Sequence, residues 1–292
     1  MNCKDLPGRT VGINELPRYS RWPARLLGLE PFERKTKNET ELNREYEVEQ
    51  WKPMLDSAKK STSPLTVTDV DRLMFGQNEK VFCRIQDEFR IMSGTDCYGL
   101  YHDLITETLQ SLLPFPSLVE VGAGYGSIIL TMAKRKPFLD IPLHAYEWTP
   151  SGRELTEELA RNDGLVPKIG FCDLNSDQVL DPPPPEGSVI FTSSVFPCIT
   201  EIRRESLLSL AQTKPKAIVH FEPIMEEYSQ STLWESMVLS YLRINNYNRN
   251  ALSVLESLER DKLIEITERR KACWGYNALL PHSVVIWKPT IA

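Results

Sequence analysis

The spacing of apolar residues changes partway along this chain. From Leu118 onward, short apolar runs alternate with amphipathic stretches of helical period. "SLVEVG" reads as a strand, followed by a glycine-rich loop and the helix "SIILTMAKRK". "PLHAYEW" reads as a second strand with the helix "TPSGRELTEELARNDG" after it, and "PKIGFCDL" as a third. "GSVIFTSSV" is a fourth, after the loop "DPPPPEG", and "TEIRRESLLSLAQTK" is the next helix. "KAIVHFEP" makes a fifth strand, "LWESMVLSYLRINNYNRNALSVLESLERD" a helical stretch in two pieces, and "LIEITERRKAC" and "SVVIWKP" a closing pair of strands. Upstream the periodicity is weaker. Residues 1 to about 63 are studded with Pro and Gly and carry a charged stretch with room for one helix. The aromatics Tyr19, Trp22, Phe32 and Trp51 imply that this stretch packs onto something. "TVTDVDRLMFGQNEKVFCRIQDEFRIMSG" reads as helical, starting near Thr66 to Thr68 and stopping at Gly94. "CYGLYHDLITETLQSLLPFP" is an amphipathic helix with Leu104, Ile105, Thr108, Leu109 and Leu112 on one face.

Repeated strand–helix units predict a mainly parallel sheet covered on both faces. Two final strands with no helix between them predict an antiparallel edge hairpin. The expectation is therefore an α/β doubly wound, mainly parallel, seven-stranded sheet with a C-terminal hairpin, spanning 96–292. Residues 1–95 are expected to form a mostly helical lid.

Composition adds limits. The 292 residues are 41% hydrophobic and 25% charged, with a net charge of -6 and a pI near 5.5, ordinary for a globular protein. No run of Lys and Arg interleaves with aromatics as nucleic-acid binding asks; "ERRKACW" gathers only three basic residues. The six cysteines, Cys3, Cys83, Cys97, Cys172, Cys198 and Cys273, form no CxxC and no zinc-ligand spacing with His, so free thiols and no metal are expected. No apolar run reaches the roughly 18 residues of a membrane span, and the N-terminus lacks an apolar signal core. A cytoplasmic protein with a small-molecule substrate is the expectation. Nothing in the sequence speaks to oligomeric state.

The stretch "VEVGAGYGS", Val119 to Ser127, carries the most specific chemistry. Glycines at 122, 124 and 126 directly follow an apolar run containing Glu120. The dinucleotide fingerprint GxGxxG would need its third glycine at 127, where Ser127 stands. No GxxxxGK[ST] occurs either. "VEVGAGYG" resembles motif I of class I S-adenosylmethionine-dependent methyltransferases, an acid followed by GxGxG. The resemblance implies S-adenosyl-L-methionine as cofactor, with Glu120 orienting its methionine part and Gly122, Gly124 and Gly126 letting the backbone approach. It also implies that Glu147, 21 residues after Gly126 at the end of the second strand, receives the ribose hydroxyls. Two lone-pair-rich oxygens suit a vicinal diol. Trp148 is then placed to pack on adenine, or is simply a core aromatic. Asp173 would accept from the adenine amino group, flanked by Cys172 and Leu174, or else it is a turn acid. Thr192, Ser193 and Ser194 end the fourth strand, where the family faces the methyl-transfer region. They depart from versions with Asp or Asn-Pro-Pro-Tyr, which argues against adenine or glutamine N-methylation. The match covers about 118–292 as a pattern; Tyr101, with Tyr98, is expected against the cofactor.

Methyl transfer from a sulfonium is an in-line substitution, and a general base is needed only if the nucleophile must lose a proton. The catalytic candidates follow the fourth and fifth strands: Ser194, His220 and Glu222, which stand two apart and so share a sheet face, and Tyr228 beside Glu226 and Glu227. The polar interruption "RINNYN" and its neighbours offer Arg243, Asn246, Tyr247 and Asn250 as substrate contacts, or a loop between helices. The leading expectation is a methyltransferase of small-molecule biosynthesis acting on a small polar or amino-acid-like metabolite. Two alternatives stay open. One is an enzyme that cyclises or transfers the cofactor's aminobutyrate chain and releases methylthioadenosine. The other is a non-catalytic scaffold of the same fold.

Overall fold

A computed structural model describes residues 6–34, 36–78 and 80–290; Cys3 lies outside them. The chain begins with β1 (Arg9–Val11), α1 (Trp22–Leu26) and a helical run made of α2 (Glu39–Leu42), a π-helical segment (Asn43–Trp51) and α3 (Lys52–Lys60). Next come α4 (Val67–Phe75), β2 (Val81–Ile85), β3 (Glu88–Met92) and α5 (Gly94–Gln110). The alternating part follows: β4 (Leu118–Val121), α6 (Ser127–Ala133), β5 (Leu143–Tyr146), α7 (Pro150–Asn162), β6 (Lys168–Cys172), β7 (Leu180–Asp181), β8 (Val189–Ser193), α8 (Arg204–Gln212) and β9 (Ala217–Glu222). It closes with α9 (Leu233–Ile244), α10 (Ala251–Arg260), β10 (Ile264–Gly275) and β11 (His282–Pro289).

The strands form one sheet of eleven, ordered β1-β3-β2-β10-β11-β9-β8-β4-β5-β6-β7. The block β9-β8-β4-β5-β6 is parallel, and β11 and β10 join it as an antiparallel hairpin, which is not the edge that was expected, because β2 pairs with β10 on its far side. The Rossmann-like parallel core and its closing hairpin are thus as the strand pattern predicts. The count of seven is corrected: β1, β2 and β3 extend the sheet beyond β10, and β7 extends its other side. From β4 the chain winds outward one way through β5 and β6, and then the other way through β8 and β9. The crevice beyond the C-terminal ends of β4 and β8 is the switch point where doubly wound sheets hold ligands.

Both faces of the sheet are covered. Val119, Val121, Ile190, Ile218 and Trp287 pack with α8 and α10 in one apolar cluster. Leu118, Phe191, Val219 and Phe221 pack with α5, α6 and α7 in another. The helices follow from local chemistry. Thr66 caps α4 and forms a capping box with Asp69. Ser93 caps α5, whose Tyr101, Ile105 and Leu109 recur every four residues and are buried. Thr149 caps α7, with Pro150 in its first turn.

The stretch expected as one helix over 66–94 divides. Residues 67–75 are helical, but 81–92 is the β2–β3 hairpin, with Val81 opposite Met92 and Ile85 opposite Glu88. Alternation is hidden there because every residue of β2 is buried. The turn also lacks glycine; Gln86 itself takes a left-handed φ of 51°. Gly94 does not stop a helix but opens α5. Residues 1–95 are therefore not only a helical lid, since three of their segments are strands of the main sheet.

Candidate active site

The loop after β4 is built around Gly122, Gly124 and Gly126, all at positive φ (77°, 58° and 81°). A side chain at Gly122 would place its Cβ 2.4 Å from Val195 Cγ2, so only glycine fits the close approach of this loop to the one after β8. The Gly122 and Ala123 amides both donate to Tyr146 O at the end of β5. Glu147 binds the loop from the next strand: its Oε2 accepts from Gly124 N at 2.9 Å. Its Oε1 accepts from Thr149 N at 2.8 Å and Thr149 Oγ1 at 2.7 Å. Glu120 is buried in the strand below, accepting from Ile129 N at 2.9 Å. Desolvation pushes its carboxyl above the ordinary range against the lowering effect of the Ile129 bond, and Glu147 pushes the same way.

A cavity of about 600 Å³ opens at this point. Glu120, Gly122, Gly124, Glu147, Trp148, Cys172, Asp173, Leu174, Ser193, Ser194 and Tyr101 all line it, so the structure brings together most of the residues singled out from sequence. Gly126 sits at the rear of the loop as the residue before α6. Asp173 Oδ1 accepts from Asn175 N at 2.8 Å, so it shapes a turn as well as facing the cavity. Ser193 Oγ lies 2.7 Å from Tyr101 OH.

Several candidates are placed elsewhere. His220 and Glu222 do share a face, but it is the face covered by α8 and α10. His220 is 1% exposed, with Nδ1 2.9 Å from Thr192 Oγ1 and Nε2 accepting from Trp287 Nε1. Desolvation pushes it down to about 3. Thr192, its partner, is equally buried and does not reach the cavity. Glu222 accepts from the amides of Val195 (2.9 Å) and Phe196 (3.0 Å), fixing the turn that carries Ser194 rather than meeting a ligand. Tyr228 belongs to a separate apolar cluster with Trp234. The asparagine-rich stretch latches the loop over 199–202: Asn246 Nδ2 binds Thr200 Oγ1, Asn248 Nδ2 binds Ile199 O, and Asn250 exchanges bonds with both backbone groups of Ile202. Arg243 is exposed, and Tyr247 stands behind Lys37, whose ammonium lies 5.4 Å from its ring. None of these five lines the cavity.

Two groups of lining residues escaped sequence reasoning. The first comes from the helical run over 39–60, which crosses the site. Trp51 lies on Gly124, where an added Cβ would meet its ring at 3.1 Å. Tyr46 OH accepts from Cys198 Sγ at 3.1 Å. Glu47 accepts from Ser151 N and Oγ at the start of α7, a favourable place for a carboxylate. The π-helical turn, in which Lys52 N–H reaches Glu47 O, re-aims this face. Nothing in the charged composition of that stretch announces it. The second group comes from the β10–β11 connection: Trp274, Tyr276, Asn277, Leu280 and His282. The aromatic cluster "WGYN" was the available signal. Trp274 stacks on Tyr101 at 4.0 Å, and Phe75 on Tyr98 at 3.8 Å.

The cavity's charge is one-sided. Glu39, Glu120, Glu147 and Asp173 face a single ammonium, Lys37. Such an excess of carboxylates over cations suits a ligand carrying positive charge. Among the described residues no group of three or more His, Cys, Asp or Glu is placed to hold a metal ion. No described helix is long and apolar enough to cross a membrane.

No family model matches the sequence, and no curated protein does. Solved structures share its shape at low identity. The magnesium protoporphyrin IX methyltransferase of Synechocystis PCC 6803, with bound SAH, is 11% identical with a TM-score of 0.47, over 66% of this chain and 84% of that one. Mitomycin 7-O-methyltransferase is 16% identical with a TM-score of 0.43, over 67% of this chain and 56% of that one. A small RNA methyltransferase is 11% identical with a TM-score of 0.48, over 70% of this chain and 29% of that one. This chain's own strand order, glycine loop and switch-point cavity give the α/β Rossmann-like fold on which its functional reading rests.

Proposed function

We propose that this protein is an S-adenosylmethionine-dependent methyltransferase acting on a small molecule. The observation that carries the reading is the line of three carboxylates along one crevice: Glu120 beneath the glycine loop, Glu147 at the end of β5 and Asp173 at the end of β6, all facing the same cavity. They match in order the three groups of that ligand: a cationic amino-acid end, a ribose diol and an adenine amino group. Each needs an acceptor, and the sulfonium adds a further positive charge that an acidic, aromatic-lined cavity favours.

Bound there, S-adenosylmethionine supplies a methyl carbon activated by the sulfonium. The chain's own residues do the rest. The loop over 122–126 and Glu147 hold one end of the ligand, with Trp148 and Leu174 at the adenine. The helical run over 39–60 covers the crevice and excludes water, so that alignment rather than side-chain chemistry supplies most of the rate. A small acceptor fits the volume, which a full-length ligand and a compact partner fill.

Isothermal titration with S-adenosylmethionine tests the placement. Glu147→Gln keeps an acceptor for the Gly124 amide but loses the charge and one diol acceptor. It should weaken binding at least about tenfold, or ~1.4 kcal/mol. Unchanged affinity would remove Glu147 from the ribose site.

A further inference from the structure

We infer that Ser194 and His282 form the proton-accepting pair of this site, and that the acceptor it serves is a hydroxyl group on an apolar, ring-bearing molecule. This rests on the methyltransferase reading and deepens it.

The pair is built into the cavity wall. Ser194 follows β8 with a φ of 60°, a left-handed conformation that strains a residue with a side chain. That conformation is held from behind by Glu222, which ties down the next two amides. It brings Ser194 Oγ to 2.8 Å from His282 Nε2. His282 opens β11, is 4% exposed, and is packed between the rings of Trp274 (5.3 Å) and Tyr101 (5.6 Å). Both side chains line the cavity.

The other hydroxyls at this end are already engaged. Ser193 pairs with Tyr101, Tyr98 with Ser127 at 2.9 Å, and Tyr276 with Asn78 at 2.9 Å. Two other imidazoles are near but do not line the cavity: His220 is enclosed on the covered face of the sheet, and His102 packs against Tyr98 at 4.5 Å. His282 is thus the lining residue here with a nitrogen able to take a proton. Burial pushes its imidazole down to about 4, which keeps it neutral across the neutral range. Low basicity suffices, because an oxygen that has begun to bond the methyl carbon becomes a strong acid.

The surroundings specify the acceptor. Phe75, Tyr98, Tyr101, Trp274 and Tyr276 form an aromatic wall around the pair, with Asn277 and Leu280 beside it. The carboxylates closest to this wall are already bonded, Glu120 to Ile129 N, Glu222 to the Val195 and Phe196 amides and Asp71 to Tyr125 and Ser127, whereas apolar rings pack against aromatic faces. In the step, the oxygen–carbon bond forms and the carbon–sulfur bond breaks with its electron pair left on sulfur. The hydroxyl proton passes to Ser194 Oγ as the serine proton passes to His282 Nε2, leaving an imidazolium that releases it to water.

The test uses the full chain saturated with S-adenosylhomocysteine. Ring-¹⁵N histidine spectra contain four residues, and His282→Gln assigns the one in question. Titration with 4-methylphenol should perturb the His282 nitrogens saturably, and titration with 4-methylbenzylamine should not. With S-adenosylmethionine, His282→Gln should slow methylation of 4-methylphenol by about 100-fold or more. It should slow methylation of 4-nitrophenol, which ionises by itself, by less than about tenfold. Ser194→Ala is the second variant, for the case in which His282→Gln does not fold. The inference is overturned if the phenol does not bind, if it binds without moving the His282 signals, if the amine alone binds, or if both phenols lose rate equally. Failure to bind S-adenosylhomocysteine at all would instead sink the methyltransferase reading.

Discussion

Glu120 is enclosed in the sheet, yet it faces the cavity through which any ligand must reach it. Its carboxyl is raised above the usual range by burial, so the free protein holds this proton to higher pH than an ordinary carboxyl would. A cationic amino-acid end favours the ionised form. Binding should therefore release a proton, and affinity should increase as pH rises through the raised value. Titration calorimetry in buffers of different ionisation enthalpy would count that proton; affinity independent of pH would take Glu120 out of contact with the cation. The acids Glu120, Glu147 and Asp173 were legible because each sits at the end of an apolar run or within it. His220 and Glu222 were not. Alternation shows that they share a face, but it does not show which face α8 and α10 cover. His282 was missed for the converse reason: its role depends on Ser194, 88 positions away, and on a strained φ that no residue type announces.

Among elements, those built on a clear period were readable, and those whose two faces are both buried were not. α5 and α7 show their apolar stripes. β2 shows none, and the Gln86 turn hides the hairpin behind a residue that seldom adopts its conformation. The helical run over 39–60 was legible only as a helix, since its π-helical turn and its seat over Gly124 depend on long-range contacts of Trp51 and Glu47. One element end departs from the ordinary rule in a way that can be tested. α10 ends at Arg260 with Asp261 as its cap, and Lys262 follows at φ 60° with its amide on Glu259 O, a position that glycine normally takes. Lys262 is exposed, so Lys262→Gly should stabilise the fold by roughly 1 kcal/mol. A higher midpoint in urea at unchanged slope would show it; a lower midpoint would mean that the lysine makes a compensating contact.

For the molecule as a whole, the first 95 residues give three strands to the main sheet and also line the cavity, through Tyr46, Trp51 and Phe75 among others. β2 pairs with β10 at Trp274 and Gly275, the place where the cavity wall turns. A chain beginning at 96 would lose β1, β2 and β3, bare the edge of β10 and leave Trp274 without its neighbour strand. Such a chain should aggregate or elute as large species in size exclusion; a monodisperse, S-adenosylmethionine-binding product would show that 96–292 stands alone. The cavity itself has a spectroscopic consequence. Of the six tryptophans, Trp51, Trp148 and Trp274 wall it, one from each of three separated parts of the chain. Each meets a different portion of whatever fills the space. The protein's intrinsic emission should therefore change saturably with occupancy, and Trp→Phe variants at the three positions should divide that signal between the cover, the nucleoside end and the acceptor end, so that arrival at each can be timed without a label.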